Sequence, residues 1–297
     1  MCAHLHVATR EFRAMGTDCR VLIYGSDERV EQLADLAATR VELLESLWSR
    51  FDPTSELSRM NDRAGLGSVS VSRDTALLIT RMRQAWEATS GAFDPTVLTA
   101  VRANGYDRDF AEVCSLDAVN FDVTGPAPGM SAVRIDEHSV ELPAGVGLDP
   151  GAIGKGLAAD IVVEEMMAAG ASGVLVDLGG DIALAGMPGS AHCWCIDVRD
   201  ERTGRSSGRV VEFPAGVPHA GVATSTTLTR RFADARHHVI DPLTGSSCSE
   251  HLVQTTVAGP WAWLCEVWAT AAIVNPNQRS AMPDELSCLS FSAMEVA

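Results

Sequence analysis

Apolar residues recur at helical spacing from Asp27 to Phe51, where Leu33, Leu36, Val41, Leu44 and Leu47 form one stripe. A stripe of that period predicts an amphipathic helix. Thr75 to Ser90 repeats the pattern and runs into Gly91, a helix stop. A third helix is predicted from Lys155 to Ala169, and a fourth from Trp261 to Val274, where apolar residues occupy nearly every side and a buried position follows. The remaining apolar runs are short, as strands are. Phe12 to Tyr24 reads as a strand pair, and Val133–Asp136 with Ser139–Leu142 as a hairpin leading into a Gly/Pro loop from Pro143 to Gly154. Gly173 to Asp177 is a short strand, apolar up to Asp177 and closed by Gly179-Gly180, and Ile182 to Ala185 reads as its continuation. Strands follow at Cys195–Arg199 and Gly208–Phe213, then a loop through Ser225-Thr226-Thr227. Such a mixed order predicts an α+β fold and not a regular βαβ alternation. No repeat, low-complexity tract or linker divides residues 1–297, so a single domain is expected.

Composition narrows the partners. With 46% hydrophobic and 21% charged residues the chain is ordinary globular material, but its net charge is −16. An overall field of that sign disfavours nucleic acid and anionic membrane surfaces, so any anionic ligand must be held by local donors. Met1 to Arg13 shows no apolar core of signal-peptide length, and no apolar run approaches the roughly 18 residues of a membrane span. A cytoplasmic protein is the expectation. The eight cysteines are irregularly spaced. His192-Cys193-Trp194-Cys195 would set two thiols on one face of a strand, but no second pair follows at zinc-finger spacing. Reduced, structural thiols are therefore expected.

Candidate chemistry gathers in a few segments. Lys155 is the only lysine in 297 residues and lies in Gly151-Ala152-Ile153-Gly154-Lys155-Gly156. A glycine turn opening a helix offers free N–H groups and the positive end of the helix dipole to an anion, although the same residues also suit a plain tight turn. It is not a Walker A loop, because Gly156 stands where Ser or Thr is needed. Glu266 and Thr270 fall one turn apart on one helix face, as oxygen ligands to a hard cation would, in a spacing that is also commonplace. In Arg236-His237-His238-Val239-Ile240-Asp241-Pro242-Leu243-Thr244-Gly245, adjacent histidines point opposite ways on an extended chain, so one faces any given site. By itself that segment reads as a structured turn. Two Phe-Asp-Pro-Thr stretches, at Phe51–Thr54 and Phe93–Thr96, present an aromatic ring beside a turn.

In this order the segments resemble the ApbE family, the FAD:protein FMN transferases. The likeness runs from Met15-Gly16-Thr17 through Ser49–Ser58, Gly91–Val97, Leu148–Gly156, Val176–Asp181, Ala223–Ser225 and His237–Gly245 to Glu266–Thr270. The resemblance implies an α+β fold with FAD in a cleft between two lobes. It implies Mg²⁺-dependent transfer of FMN from FAD to a Thr or Ser hydroxyl of an acceptor flavoprotein, with release of AMP. By motif position Met15, Phe51, Ala92, Phe93, Asp94, Asp149, Lys155 and His238 would contact FAD. Ala152 through its carbonyl, Glu266 and Thr270 would hold the metal, and His238 or Asp241 would take the acceptor's proton. Two positions depart from the family pattern: Glu266 stands where Asp is usual, one methylene longer, and Ser225-Thr226 replaces the usual Ser-Gly. The same scaffold admits an FAD pyrophosphatase, with water in place of the acceptor, or a protein that binds FAD without turnover.

Overall fold

A computed structural model describes residues 5–106, 125–231, 236–249 and 251–292. The centre is a seven-stranded sheet in which every pairing is antiparallel. Its order is β1 (His6–Ala14), β2 (Thr17–Gly25), β6 (Gly173–Leu178), β7 (Ile182–Gly186), β10 (Val217–Thr226), β11 (Leu252–Gly259) and β12 (Ser287–Ser292). Short strands β3 (Val69–Ser70), β4 (Arg134–Asp136) and β5 (Ser139–Glu141) make a second sheet, and β8 (Cys193–Asp200) with β9 (Arg205–Pro214) a hairpin.

Side-chain alternation assigns the faces. Val174 and Val176 of β6 and Cys19, Val21 and Ile23 of β2 point into the main core. Leu175, Leu22 and Tyr24 point to the opposite side, where Trp194, Ile196, Val211 and Phe213 of the β8–β9 hairpin cover them. Three helices lie over the first face, α1 (Arg29–Trp48), α5 (Gly154–Ala168) and α6 (Ala262–Val274), while α3 (Arg73–Ala88) packs against α1 and strand β4 of the second sheet. Between them run the short α2 (Glu56–Asp62) and α4 (Leu98–Ala103). The mixed α/β architecture is the expected one.

Two strand expectations change. Ile182–Gly186 does not continue β6; it turns at Gly179-Gly180 and pairs back antiparallel, Val176 opposite Ala183. The segment read as a loop through Ser225 is instead the end of β10, a ten-residue interior strand. Its small residues have a packing cause. A Cβ on Gly221 would come within 2.3 Å of the Ala262 backbone N, so β10 lets α6 approach closely only without a side chain there.

Helix α6 is apolar on nearly all sides, with Trp268 1% exposed, and carries one buried carboxylate, Glu266. Its first turn is capped from outside: Asp160 of α5 accepts from the backbone N–H of Ala262 and of Trp263, each at 2.9 Å. Glu266 returns the favour, accepting at 2.8 Å from Gly156 N in the first turn of α5. Each helix thus supplies the acidic group that its neighbour's N-terminus needs. This reciprocal capping fixes where the Glu266 carboxylate sits. No helix among the described residues is long and apolar enough to cross a membrane.

Candidate functional site

A cleft of about 880 Å³ opens beside that helix pair. The size is that of small-molecule sites, about 300–1,000 Å³. Five structural features build its wall, and each is set locally.

The first is the β1–β2 turn. Ala14 pairs with Thr17, leaving Met15 and Gly16 as a two-residue connection with φ of 51° and 70°. Such a turn matches the twist of a hairpin and needs both residues left-handed, a cost that a methionine bears at the cleft edge. The Met15 N–H is held by Glu45 Oε1 at 2.6 Å.

The second feature is the pair of Asp-Pro-Thr turns. Asp52 Oδ1 accepts from both N and Oγ1 of Thr54 at 2.7 Å. Asp94 Oδ1 does the same with Thr96, at 2.8 and 2.6 Å. The turns are alike; the phenylalanines before them are not. Phe93 is 3% exposed and belongs to the core, whereas Phe51 is 39% exposed at the cleft mouth. Beside it the Arg50 guanidinium lies 4.2 Å from the ring centroids of both Phe51 and Tyr106. Arg50 also donates to the Tyr106 carbonyl at 2.8 Å and approaches Asp149 Oδ2 at 3.4 Å. Burial pushes the Asp94 carboxyl up, and its bonds to Thr96 offset part of that.

The glycine loop is the third. Asp149 Oδ1 accepts from Gly151 N at 2.8 Å, closing the turn that delivers Ala152, Gly154 and Lys155 to the cleft. Lys155 reaches inward, where its ammonium contacts the Asp181 carboxylate and lies 3.4 Å from Glu266 Oε1. Asp181 and Glu266 are 1% and 3% exposed. Two buried carboxylates therefore surround one ammonium. Burial lowers the Lys155 pKa while Glu266 holds it up, and burial raises Glu266 while Lys155 opposes. Thr270 Oγ1 lies one turn along α6 and shares a hydrogen bond of 2.7 Å with Ser225 Oγ at the end of β10.

The β6–β7 turn is the fourth wall, presenting Gly179, Gly180 and Asp181. His238 is the fifth, entering from its segment while His237, 1% exposed, is turned into the structure with Nε2 3.2 Å from the Cys248 carbonyl. The two histidines do face opposite ways. Burial, then Arg230 and His237, push the His238 imidazole down to about 3, so it is neutral at ordinary pH. Its buried Nδ1 has no hydrogen-bond partner among the described residues.

Of the residues singled out in the sequence, Met15, Phe51, Ala92, Phe93, Asp94, Asp149, Ala152, Lys155, His238, Glu266 and Thr270 all line this cleft. Asp241 is the exception. Its neighbour Pro242 lines the wall, but the Asp241 carboxylate accepts from Leu243 N at 2.8 Å and builds the Pro/Gly turn. Sequence reasoning included Arg50 and Asp181 in resembling segments without giving either a role, and passed over Arg230. Asp181 had a signal: an acidic residue directly after the Gly-Gly that ends an apolar strand. Arg50 had only its place between a helix end and Phe51, and Arg230 had none.

The arrangement defines a class: a layered α/β protein with a cleft that brings together carboxylate and hydroxyl oxygens, a buried ammonium and a neutral imidazole. Residues 15–285 match the ApbE family, and the chain belongs to that family. It is 30% identical to the FAD:protein FMN transferase of Treponema pallidum, an alignment covering 94% of this chain and 81% of that one. Against the enzyme of the same name from Escherichia coli it is 27% identical over 90% of this chain and 78% of the other. The fold superposes on the ApbE protein of Thermotoga maritima with a TM-score of 0.83, at 24% identity over 97% and 94% of the two chains. For the flavin transferase ApbE of Vibrio cholerae the TM-score is 0.79, at 21% identity over 98% and 95%.

Proposed function

We propose that this chain moves FMN from FAD to a Thr or Ser hydroxyl of an acceptor flavoprotein, with AMP as the leaving group and Mg²⁺ as the required cation. The observation that carries the reading is the buried Lys155–Asp181–Glu266 cluster in the 880 Å³ cleft, at the N-terminus of α5. Breaking a pyrophosphate demands neutralisation of charge on the leaving phosphate, and this is where the fold places a cation and oxygen donors together. The relatives' shared name, FAD:protein FMN transferase, supports the choice of ligand.

The residues fit a magnesium ion by their chemistry. Glu266, Thr270 and the Ala152 carbonyl offer only oxygen, the donor Mg²⁺ prefers. The buried Asp181 oxygens accept no hydrogen bond among the described residues and meet only the Lys155 ammonium, which leaves the cluster rich in negative charge. When bound, the ion supplies neutralisation of the pyrophosphate charge.

The chain's own groups do the rest. Lys155 brings its ammonium, held protonated by the Glu266 carboxylate beside it, to the phosphates, and the Phe51–Arg50–Tyr106 stack offers a flat surface at the cleft mouth. His238 accepts the acceptor's proton through its neutral imidazole; an anionic pyrophosphate arriving beside Arg230 offsets that cation and raises the imidazole's proton affinity. The acceptor oxygen then bonds to the FMN phosphorus, the bridging P–O bond breaks, and its electron pair leaves on AMP. Asp241 is committed to its turn and plays no part in this scheme.

The test is to incubate the chain with FAD and Mg²⁺, with and without an acceptor flavoprotein domain, and to separate the nucleotides. AMP that appears only with acceptor supports transfer. AMP together with free FMN, independent of acceptor, makes the chain a pyrophosphatase. FAD that stays intact in both arms makes it a binding protein.

A further inference from the structure

The β8–β9 hairpin has an inner face that covers the sheet and an outer face that meets solvent. On the outer face lie Cys193 and Cys195, two residues apart on β8, and Glu212, which stands directly opposite Cys195 on β9. The Cys193 and Cys195 sulfurs are 3.3 Å apart. One donor atom from each of the three residues lies within 4.8 Å of the others, the one such cluster among the described residues. The neighbouring Trp194 points inward and is 4% exposed, so its packing holds the strand in the register that aligns the thiols. None of the three residues lines the flavin cleft.

We propose that Cys193, Cys195 and Glu212 form a surface site for a thiophilic divalent cation of the zinc class, separate from the cleft. Donor chemistry selects the ion. Two thiolates and one carboxylate suit Zn²⁺ and its analogues and reject Mg²⁺ and Ca²⁺, which take oxygen alone. Geometry agrees with coordination better than with a disulfide. Two thiolates about 2.3 Å from a tetrahedral zinc are about 3.8 Å from each other, so the sulfurs need to part only slightly from their 3.3 Å. A disulfide would have to draw them to about 2.05 Å across strand positions whose Cα atoms are about 6.6 Å apart, the far end of the range such bonds span. Three protein ligands leave a fourth position, which faces solvent and takes a water. Coordination takes thiolates, so binding releases the thiol protons into solvent. The third ligand was invisible to a search for Cys spacing because it comes from the partner strand.

The test is titration of the full-length, metal-free, reduced chain with Co²⁺ or Cd²⁺, followed by thiolate-to-metal charge-transfer absorption, then competition with Zn²⁺. The expected result is one such site per chain, displaced by Zn²⁺ and untouched by a large excess of Mg²⁺. The double variant Cys193→Ser/Cys195→Ser loses the band, and Glu212→Gln weakens binding at least about tenfold, a loss of about 1.4 kcal/mol. These side chains face solvent, so a folded double variant is expected, with its melting profile as the check. A band that survives in the double variant, or no band with stoichiometric metal on the parent, overturns the proposal.

Discussion

Replacing Glu266 by glutamine separates its two roles. The carboxylate caps α5 through Gly156 N at 2.8 Å and stands 3.4 Å from the Lys155 ammonium. Glutamine has the same length and shape, so its carbonyl oxygen retains the Gly156 bond and no cavity opens. The charge of the Lys155–Asp181–Glu266 trio, however, changes from −1 to zero. Two unit charges 4 Å apart interact by about 1 kcal/mol in water and about 4 kcal/mol at an effective dielectric of 20. For a divalent ion those values double, to about 2–8 kcal/mol. Even the lower value exceeds the 1.4 kcal/mol of a tenfold change. Glu266→Gln should therefore melt within a few degrees of the parent in metal-free buffer, yet bind Mg²⁺ at least about tenfold more weakly in the presence of FAD. Calorimetric titration of Mg²⁺ together with a thermal scan reads both quantities. Parent-like Mg²⁺ affinity in a folded variant would refute the reasoning and leave Glu266 as a helix cap alone. Glu266→Asp asks a different question, because shortening the side chain leaves a buried N–H unmet, at about 1–3 kcal/mol.

Lys155→Arg keeps the charge but puts a wide guanidinium between Asp181 and Glu266; FAD affinity should fall at least about tenfold by titration, and a parent-like value would mean that charge alone suffices there. In Gly156→Ala the new Cβ would sit 2.6 Å from the backbone C and O of Ala262, so α5 and α6 must part. The cost is at least about 1–3 kcal/mol, or roughly 2–10 °C in the calorimetric midpoint at this size; an unchanged midpoint would show the crossing to be slack. Burial pushes the Asp160 carboxyl up to about 8, so the folded chain retains a proton that the unfolded chain gives up near pH 4. That group's stabilisation is complete below about pH 4 and lost as pH rises through about 8. The melting temperature should accordingly fall between about pH 4 and about pH 8 and level off above, and Asp160→Asn should flatten that slope; an unaltered slope in the variant would clear Asp160 of the effect.

The helices were legible because their buried stripes have the helical period. Asp27–Phe51 became Arg29–Trp48, Thr75–Ser90 became Arg73–Ala88, and Lys155–Ala169 became Gly154–Ala168. Strands β10, β11 and β12 were harder to read for a physical reason. Strand β11 is buried along its whole length, so its residues show no alternation, and Gln254, Thr255 and Thr256 are buried polar residues that read as loop. Gln254 is satisfied by distant partners, donating to Arg199 O at 2.6 Å and accepting from Glu201 N at 2.9 Å. The cleft has the same character. Its residues come from segments spread over most of the chain, and periodicity cannot bring Lys155 to Asp181 or Glu266. The ordered family resemblance supplied most of the lining. It did not reveal that Asp160 and Glu266 cap each other's helices, which depends on how α5 crosses α6. Nor did it distinguish Asp241 from His238, since only the folded turn shows the carboxylate engaged with Leu243 N. Among the cysteines, Cys19, Cys248 and Cys265 are buried as structural thiols should be, Cys193 and Cys195 lie on the outer hairpin face, and Cys2 and Cys114 fall outside the described residues.

Isothermal titration of FAD into the purified chain, with Mg²⁺ and again with the metal chelated, tests the central claim most directly. The account predicts one FAD per chain, bound at least about tenfold more tightly with Mg²⁺, as expected when a divalent charge joins the ammonium at the pyrophosphate. A chain that binds no FAD in either buffer would contradict it.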